Sequence, residues 1–201
     1  MSDLQHYCDI TMCFLWLATY VLGVIGTLKH KKLVISPFAT VLGFGMEAGI
    51  SMRILISGGG VNYVSIIYPI WACVEIALIT IECILGLIPK QWIVPYVIAC
   101  IGASIGCFFW TALPHGMLYC NYILTFIGLI LWFIHICLDK AYPASIWTLA
   151  MFLCKFFADS FAVITYFNIL NWVVNVFCIG LPTIDALFLL LWYNRRYRTE
   201  I

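Results

Sequence analysis

The chain of 201 residues is 65% hydrophobic and only 9% charged, with a formal net charge of +1. About a quarter of the residues of a soluble domain are charged, so the composition excludes an ordinary soluble protein, and it supplies no basic field for nucleic acid. Most of the ten cysteines lie in apolar runs, where Cys behaves as a small hydrophobe. No pair of them has metal-ligand spacing with histidines nearby. We therefore expect an integral membrane protein.

Seven apolar runs are long enough to cross a bilayer, which takes about 20 helical residues. In chain order we predict them at about 10–28, 33–56, 62–88, 92–112, 117–138, 145–166 and 171–193. The breaks between them read KHKK, SGGG, IPKQ, LPHG, DKAYP and FNILN, and Gly, Pro or charge marks nearly every one. The prediction is an all-α membrane protein whose residues 1–201 form a single domain, a seven-helix transmembrane bundle.

The basic residues predict the orientation of this bundle. Every Lys and Arg of the connections falls on one side of the predicted membrane: Lys29, Lys31, Lys32, Lys90, Lys140, Arg195, Arg196 and Arg198. Basic loops stay in the cytoplasm. We therefore expect the N-terminus outside and the C-terminus in the cytoplasm.

A faint internal repeat is visible. Helix 3 starts at Asn62 and helix 7 at Asn171, and each contains a Pro followed by an acid, Glu75 and Asp185 respectively. Helices 2 and 6 share an early Pro and an internal acid. The similarity suggests two parallel three-helix units joined by helix 4, an arrangement that some small transporters use. A small transporter of this 3+1+3 kind is therefore an alternative function.

Ionisable residues inside the spans are few: Glu47, Arg53, Glu75, Glu82, His135, Lys155, Asp159 and Asp185. Such groups usually face the bundle interior and pair, or mark a functional site. Lys155 and Asp159 lie four residues apart on one helix and can neutralise each other. Arg53 can snorkel to the outer end of its helix. Glu82 lies near the cytoplasmic end of helix 3 and fits a solvated anchor.

Glu47, Glu75 and Asp185 remain, each roughly 20 Å along a span of about 30 Å. Basic groups at that depth are too few to pair them, and an apolar surrounding disfavours the charged form of a carboxyl. Three carboxyls around one cavity, some of them neutral, would supply protons in a dry pocket. The alternative is that they hydrogen-bond neighbouring helices and only stabilise the bundle.

The chain resembles the small seven-helix integral-membrane terpene cyclases of fungal meroterpenoid and indole-diterpene biosynthesis and their bacterial relatives. TYVLGVIGTLKHKKLVISPFATVLGFGMEAGI is similar to the family's first two helices, with the catalytic Glu ten residues after the Pro, here Glu47. IWACVEIALI resembles its helix 3 motif, with Trp71 and Glu75. YPASIWTLAMFLCKFFADSFAVI resembles its sixth helix, and IDALFLLLWYNRRYR its closing motif, whose essential Asp is Asp185. The chain departs from the pattern at Gly43 and Met46, which replace the family's Asn and Trp.

The resemblance implies cyclisation of a prenyl chain of a meroterpenoid-type substrate, started by a carboxylic acid that protonates an epoxide or an alkene. It implies Asp185 and Glu47 as catalytic residues and Glu75 as a supporting acid. It implies no metal or other cofactor, and no DDxxD motif occurs in the chain. The expected partners are a hydrophobic prenylated small molecule and the lipid bilayer, in the endoplasmic reticulum of a fungus or the plasma membrane of a bacterium. The expected substrate-binding residues are Trp71, Tyr68, Met46 and Phe157.

Overall fold

The computed structural model describes residues 3–57, 63–166 and 172–199, and within them the chain forms seven α-helices and no strand. Each of these helices is long and apolar enough to cross a membrane, so the protein is an integral, multi-pass membrane protein. The predicted number and order of the spans are confirmed, whereas the predicted helix starts at Asn62 and Asn171 lie outside the described residues. The helices are α1 (Asp3–His30), α2 (Pro37–Ser57), α3 (Tyr63–Ile84), α4 (Lys90–Trp110), α5 (Gly116–Leu138), α6 (Ile146–Tyr166) and α7 (Trp172–Thr199).

Local sequence accounts for several helix ends. After α3, the Leu87 amide donates a hydrogen bond to the Glu82 carbonyl at 2.9 Å, and the Gly86 amide donates one to the Cys83 carbonyl at 3.1 Å. This is a Schellman motif, and Gly86 has the positive φ of 68° that the motif requires. At the start of α6, the Ser145 amide donates to Thr148 Oγ1 at 3.0 Å and the Thr148 amide donates to Ser145 Oγ at 3.4 Å. These reciprocal bonds satisfy amides that a helix start leaves open.

The first of two compact units comprises Met1–Val34 and Phe133–Ile201, and so contains α1, α6, α7 and the end of α5. Contacts at the two ends of the helix pair show that α1 runs antiparallel to α6. Tyr166 bonds Asp9 at one end of the pair, and the Lys29 ammonium lies 4.3 Å from the Trp147 ring centroid at the other. On the other side, α7 packs on α6 with Phe188 stacked on Phe152, their ring centroids 5.1 Å apart.

The second unit, Ile35–Trp132, contains α2, α3, α4 and most of α5. Small residues let α2 and α4 approach closely, because a Cβ placed on Gly45 would lie 2.4 Å from the Cβ of Ala103. A Cβ on Gly49 would lie 2.7 Å from the carbonyl oxygen of Ser104. Close backbone approach at glycines is a common way for transmembrane helices to pack.

These units differ from the predicted three-helix halves. The first groups α1 with α6 and α7, and the second groups α2 and α3 with α4 and most of α5. The suggested division into helices 1–3 and 5–7 is therefore wrong as a description of packing. It was drawn from the similarity of apolar segments, and such similarity carries no information about which helix faces pack together.

Candidate functional site

A fully buried ion cluster lies in the first unit, between α6 and α7. The Lys155 ammonium donates a hydrogen bond to Asp159 Oδ2 at 2.6 Å and lies 2.9 Å from Asp185 Oδ1. The exposed fraction of each of these side chains is 1% or less. Burial of charge in an apolar interior is tolerated only with such pairing, so the three side chains act as one group, here called the ion cluster.

The ion cluster corrects one prediction and confirms another. We expected too few basic groups at this depth to pair Glu47, Glu75 and Asp185, and for Asp185 this is wrong, because α7 places that carboxyl against Lys155 of α6. The predicted pairing of Lys155 with Asp159 is confirmed by their contact one helical turn apart. It is not a closed pair, however, since the same ammonium serves a second carboxyl.

Trp16 of α1 completes the surroundings of Lys155. The ammonium lies 4.6 Å from the centroid of the Trp16 ring. Aromatic faces attract cations, by about 2 kcal/mol or more when both groups are desolvated. The indole therefore stabilises positive charge at this point of the unit. Trp16 was not among the residues predicted from the sequence. It lies seven residues, about two helical turns, after the buried Asp9 on the same helix.

Asp9 and Tyr166 form a second polar contact in this unit. The Tyr166 hydroxyl donates to Asp9 Oδ1 at 2.6 Å, and Asp9 is 1% exposed. Hydrogen bonds to charged acceptors are short and about twice as strong as neutral ones. The first span was predicted to begin after Asp9, so this buried acid was not counted among the ionisable residues inside the spans.

In the second unit, Glu47 and Glu75 are both buried, at 0% and 1% exposure. The Glu75 carboxyl lies directly against the α2 backbone, because a Cβ on Gly43 would be 2.4 Å from Glu75 Oε1. Gly43 and Glu47 are four residues apart, which puts their Cβ positions roughly 6 Å apart on one face of the helix. The structure therefore brings the Glu75 carboxyl to the face of α2 that carries Glu47.

The Glu75 carboxyl fills the space next to Gly43, one of the two positions at which the chain departs from the motif that it resembles. Met46, in place of the family's Trp, is buried, and its sulfur accepts a hydrogen bond from Thr125 Oγ1 at 3.9 Å. A sulfur is only a weak acceptor, so the position is mainly apolar.

Glu82 corrects a further prediction. We expected a solvated anchor near the end of α3, but Glu82 is fully buried, and Tyr96 of α4 donates its hydroxyl hydrogen to Glu82 Oε2 at 3.0 Å. The prediction failed because distance from a helix end does not show which face of the helix is covered. Here α4 packs over that face.

The four expected substrate-binding residues divide into two groups. Tyr68, Trp71 and Met46 are buried in the second unit, and the Tyr68 and Trp71 rings meet edge to face with centroids 5.1 Å apart. Phe157, in contrast, is 50% exposed. This places it at the surface and not among the buried side chains of α6, which include Lys155 and Asp159, so we withdraw it from the candidate site.

The carboxyls named by the sequence analysis belong to both units, with Asp185 in the first and Glu47 and Glu75 in the second. Their convergence on one cavity stays a prediction. Within residues 3–57, 63–166 and 172–199, no three His, Cys, Asp or Glu side chains are placed to hold a metal ion.

Comparison of the chain with protein-family models, curated proteins and solved structures gave no match. The seven long, apolar helices in the described part of the chain define the class as an integral, multi-pass membrane protein. The resemblance to the membrane terpene cyclases stays a prediction made from the quoted motifs.

Proposed function

We propose that the chain is an integral-membrane terpene cyclase that starts carbocation cyclisation by donating a proton from Asp185. The ion cluster is the observation that supports this function most directly. It holds two carboxyls and one ammonium with almost no exposure to solvent. Such a group is electrically neutral only when one carboxyl carries a proton, and a proton held in a dry, apolar site is what an acid-initiated cyclisation needs.

The reaction balances without a redox step. The acid donates its proton to an epoxide oxygen or an alkene carbon of a prenyl chain, and the resulting carbocation is attacked in turn by the double bonds of the chain. A base finally removes a proton from carbon, so substrate and product have the same composition. Glu47, Glu75, Met46, Tyr68 and Trp71 are buried in the other compact unit, and the part expected for them in the reaction stays a prediction.

The test is conversion in membranes that contain the expressed protein. Prenylated acceptors and their epoxides should give cyclic isomers of unchanged mass, detected by chromatography with mass spectrometry. Asp185→Asn keeps the size of the side chain but removes the acidic proton, and should lower turnover by about a hundredfold or more. Asp3→Asn, at the exposed start of α1, is the matched control and should keep full activity. Near wild-type turnover by Asp185→Asn would contradict the assignment.

A small proton-coupled transporter is the second candidate, because buried Lys and Asp side chains inside transmembrane helices also form the proton relays of pumps and transporters. The 3+1+3 arrangement no longer adds to this alternative, since the compact units group the helices differently. Proteoliposomes separate the two functions. A transporter accumulates a chemically unchanged solute, whereas a cyclase returns an isomer.

A further inference from the structure

We infer that the ion pair of Lys155 with Asp159 holds Asp185 as the protonated member of the ion cluster, which makes Lys155 and Asp159 positioning residues for the acid. The catalytic meaning of this inference rests on the proposed function. The protonation of Asp185 does not, and it can be measured without any substrate.

The geometry of the ion cluster is asymmetric. Lys155 Nζ donates a well-formed hydrogen bond to Asp159 Oδ2 at 2.6 Å. It lies 2.9 Å from Asp185 Oδ1, an ion-pair contact that is longer and that does not have the geometry of a well-formed hydrogen bond. A buried carboxylate needs several donors to replace its water shell. Asp159 therefore fits the ionised member of the cluster and Asp185 the neutral one.

The surroundings offer no further cation to change this balance. Among the described residues of this unit, Lys155 is the only buried Lys, Arg or His, and the buried ionisable groups outside the ion cluster are Cys8, Asp9, Cys13, Tyr20, Tyr142 and Cys178. Asp9 already accepts the Tyr166 hydroxyl, and Trp16 presents only its ring face to Lys155. One ammonium balances one carboxylate, and a second carboxylate in this apolar region would be uncompensated.

The same pair supports the reaction after the proton has left. When the O–H bond of Asp185 breaks and its hydrogen passes to the substrate, the electron pair stays on the Asp185 oxygen. The new carboxylate then lies beside the Lys155 ammonium, which was already in place and needs no rearrangement. A proton released from carbon at the end of the cyclisation can restore the acid directly or through another base, and the cycle closes.

Infrared difference spectroscopy of the purified protein in phosphatidylcholine vesicles tests the protonation. The measurement compares each variant with the wild type in the carbonyl stretch of protonated carboxylic acids. Asp185→Asn should remove one carboxyl equivalent from this region. Asp159→Asn should also remove one, although Asp185 is still present, because Asp185 becomes the only counter-ion of Lys155 and ionises. Asp185→Glu should shift the band, because it changes the protonated side chain itself, whereas Asp159→Glu should leave the band at its wild-type frequency. Asp3→Asn should leave the spectrum unchanged.

Other outcomes overturn the inference. If Asp159→Glu shifts the band while Asp185→Glu leaves it at the wild-type frequency, then Asp159 holds the proton. If neither variant changes the band, both carboxyls are ionised. A merely structural role of Asp159 would alter the melting temperature without altering the carbonyl region. Because Asp159→Asn could fail to fold, Lys155→Met provides an independent arm. Loss of the ammonium leaves two carboxyls that must both be neutral, so the band should gain one equivalent, and an unchanged band overturns the inference.

Turnover measurements connect the protonation to the proposed function. Asp159→Asn should lower the cyclisation rate by about a hundredfold, and Asp159→Glu should restore most of it. If the wild type cyclises no prenylated substrate while the infrared results hold, the proposed function fails and the inference about Asp185 stands. If the wild type cyclises a prenylated substrate but its carboxyl band survives Asp185→Asn, the inference about Asp185 fails and the cyclase activity stands.

Discussion

The close packing of α2 on α4 at Gly49 gives a prediction with a definite magnitude. In Gly49→Ala, the new Cβ would lie 2.7 Å from both the Ser104 carbonyl oxygen and Cys107 Cβ, and 2.9 Å from the Phe108 amide nitrogen. Optimal separation between carbon atoms is about 3.5–4.0 Å. Because two of the three contacted atoms belong to backbone, they cannot rotate away, and α2 must retreat from α4 by about 1 Å to restore normal contact.

A gap of that size forfeits up to about half of the dispersion energy across the affected contacts. Overpacking of this kind costs about 1–3 kcal/mol, and the rigid backbone places Gly49→Ala near the upper limit. The higher helix propensity of Ala returns up to about 1 kcal/mol. We therefore expect the free energy of unfolding to fall by about 2 kcal/mol.

Gly106→Ala is the matched control, since a Cβ there meets nothing within 4 Å. It should leave the free energy of unfolding unchanged or raise it by up to about 1 kcal/mol. The assay is reversible unfolding of both variants in mixed micelles, followed by circular dichroism. Equal stability of Gly49→Ala and Gly106→Ala would refute the close contact of α2 with α4.

Three further predictions concern the buried polar groups and the orientation. In Gly43→Ala, the new Cβ would lie 2.4 Å from the Glu75 carboxyl and should displace it. The Glu75 side chain can rotate away at a cost of about 0.5–1.5 kcal/mol. Turnover should therefore fall while the melting temperature changes little. Tyr166→Phe removes the 2.6 Å hydrogen bond to Asp9 and should lower the free energy of unfolding by about 1.5–3 kcal/mol, whereas Tyr193→Phe, 61% exposed, should stay within about 0.5 kcal/mol. The one-sided basic residues predict a cytoplasmic C-terminus, so a C-terminal green fluorescent protein should fluoresce and a C-terminal alkaline phosphatase should be inactive in a bacterial host; the reverse pattern would invert the topology.

The predicted spans matched the helices because their signal is local. A helix of about 20 apolar residues ended by Gly, Pro or a charged residue is as long as the hydrocarbon layer is thick, and this match does not depend on the neighbouring helices. The pairing of Lys155 with Asp159 was also predictable, since residues four apart share a helix face. The prediction for Glu82 was wrong because the burial of this residue is not a local property. It depends on α4, whose Tyr96 donates a hydrogen bond to the Glu82 carboxyl.

By itself, the sequence determined that this is a seven-helix membrane protein with several acids inside its spans, since composition and apolar run length are properties of each segment alone. Only the tertiary structure decided that Asp185 meets Lys155, on a different helix and 30 residues away in the chain. Only the tertiary structure placed the Glu75 carboxyl over Gly43. Both contacts depend on how each helix is rotated about its axis. A helix that is apolar on nearly all sides carries little periodic signal to set that rotation. The rotation is set by close packing, as at Gly45 and Gly49, and by the need to pair buried charge.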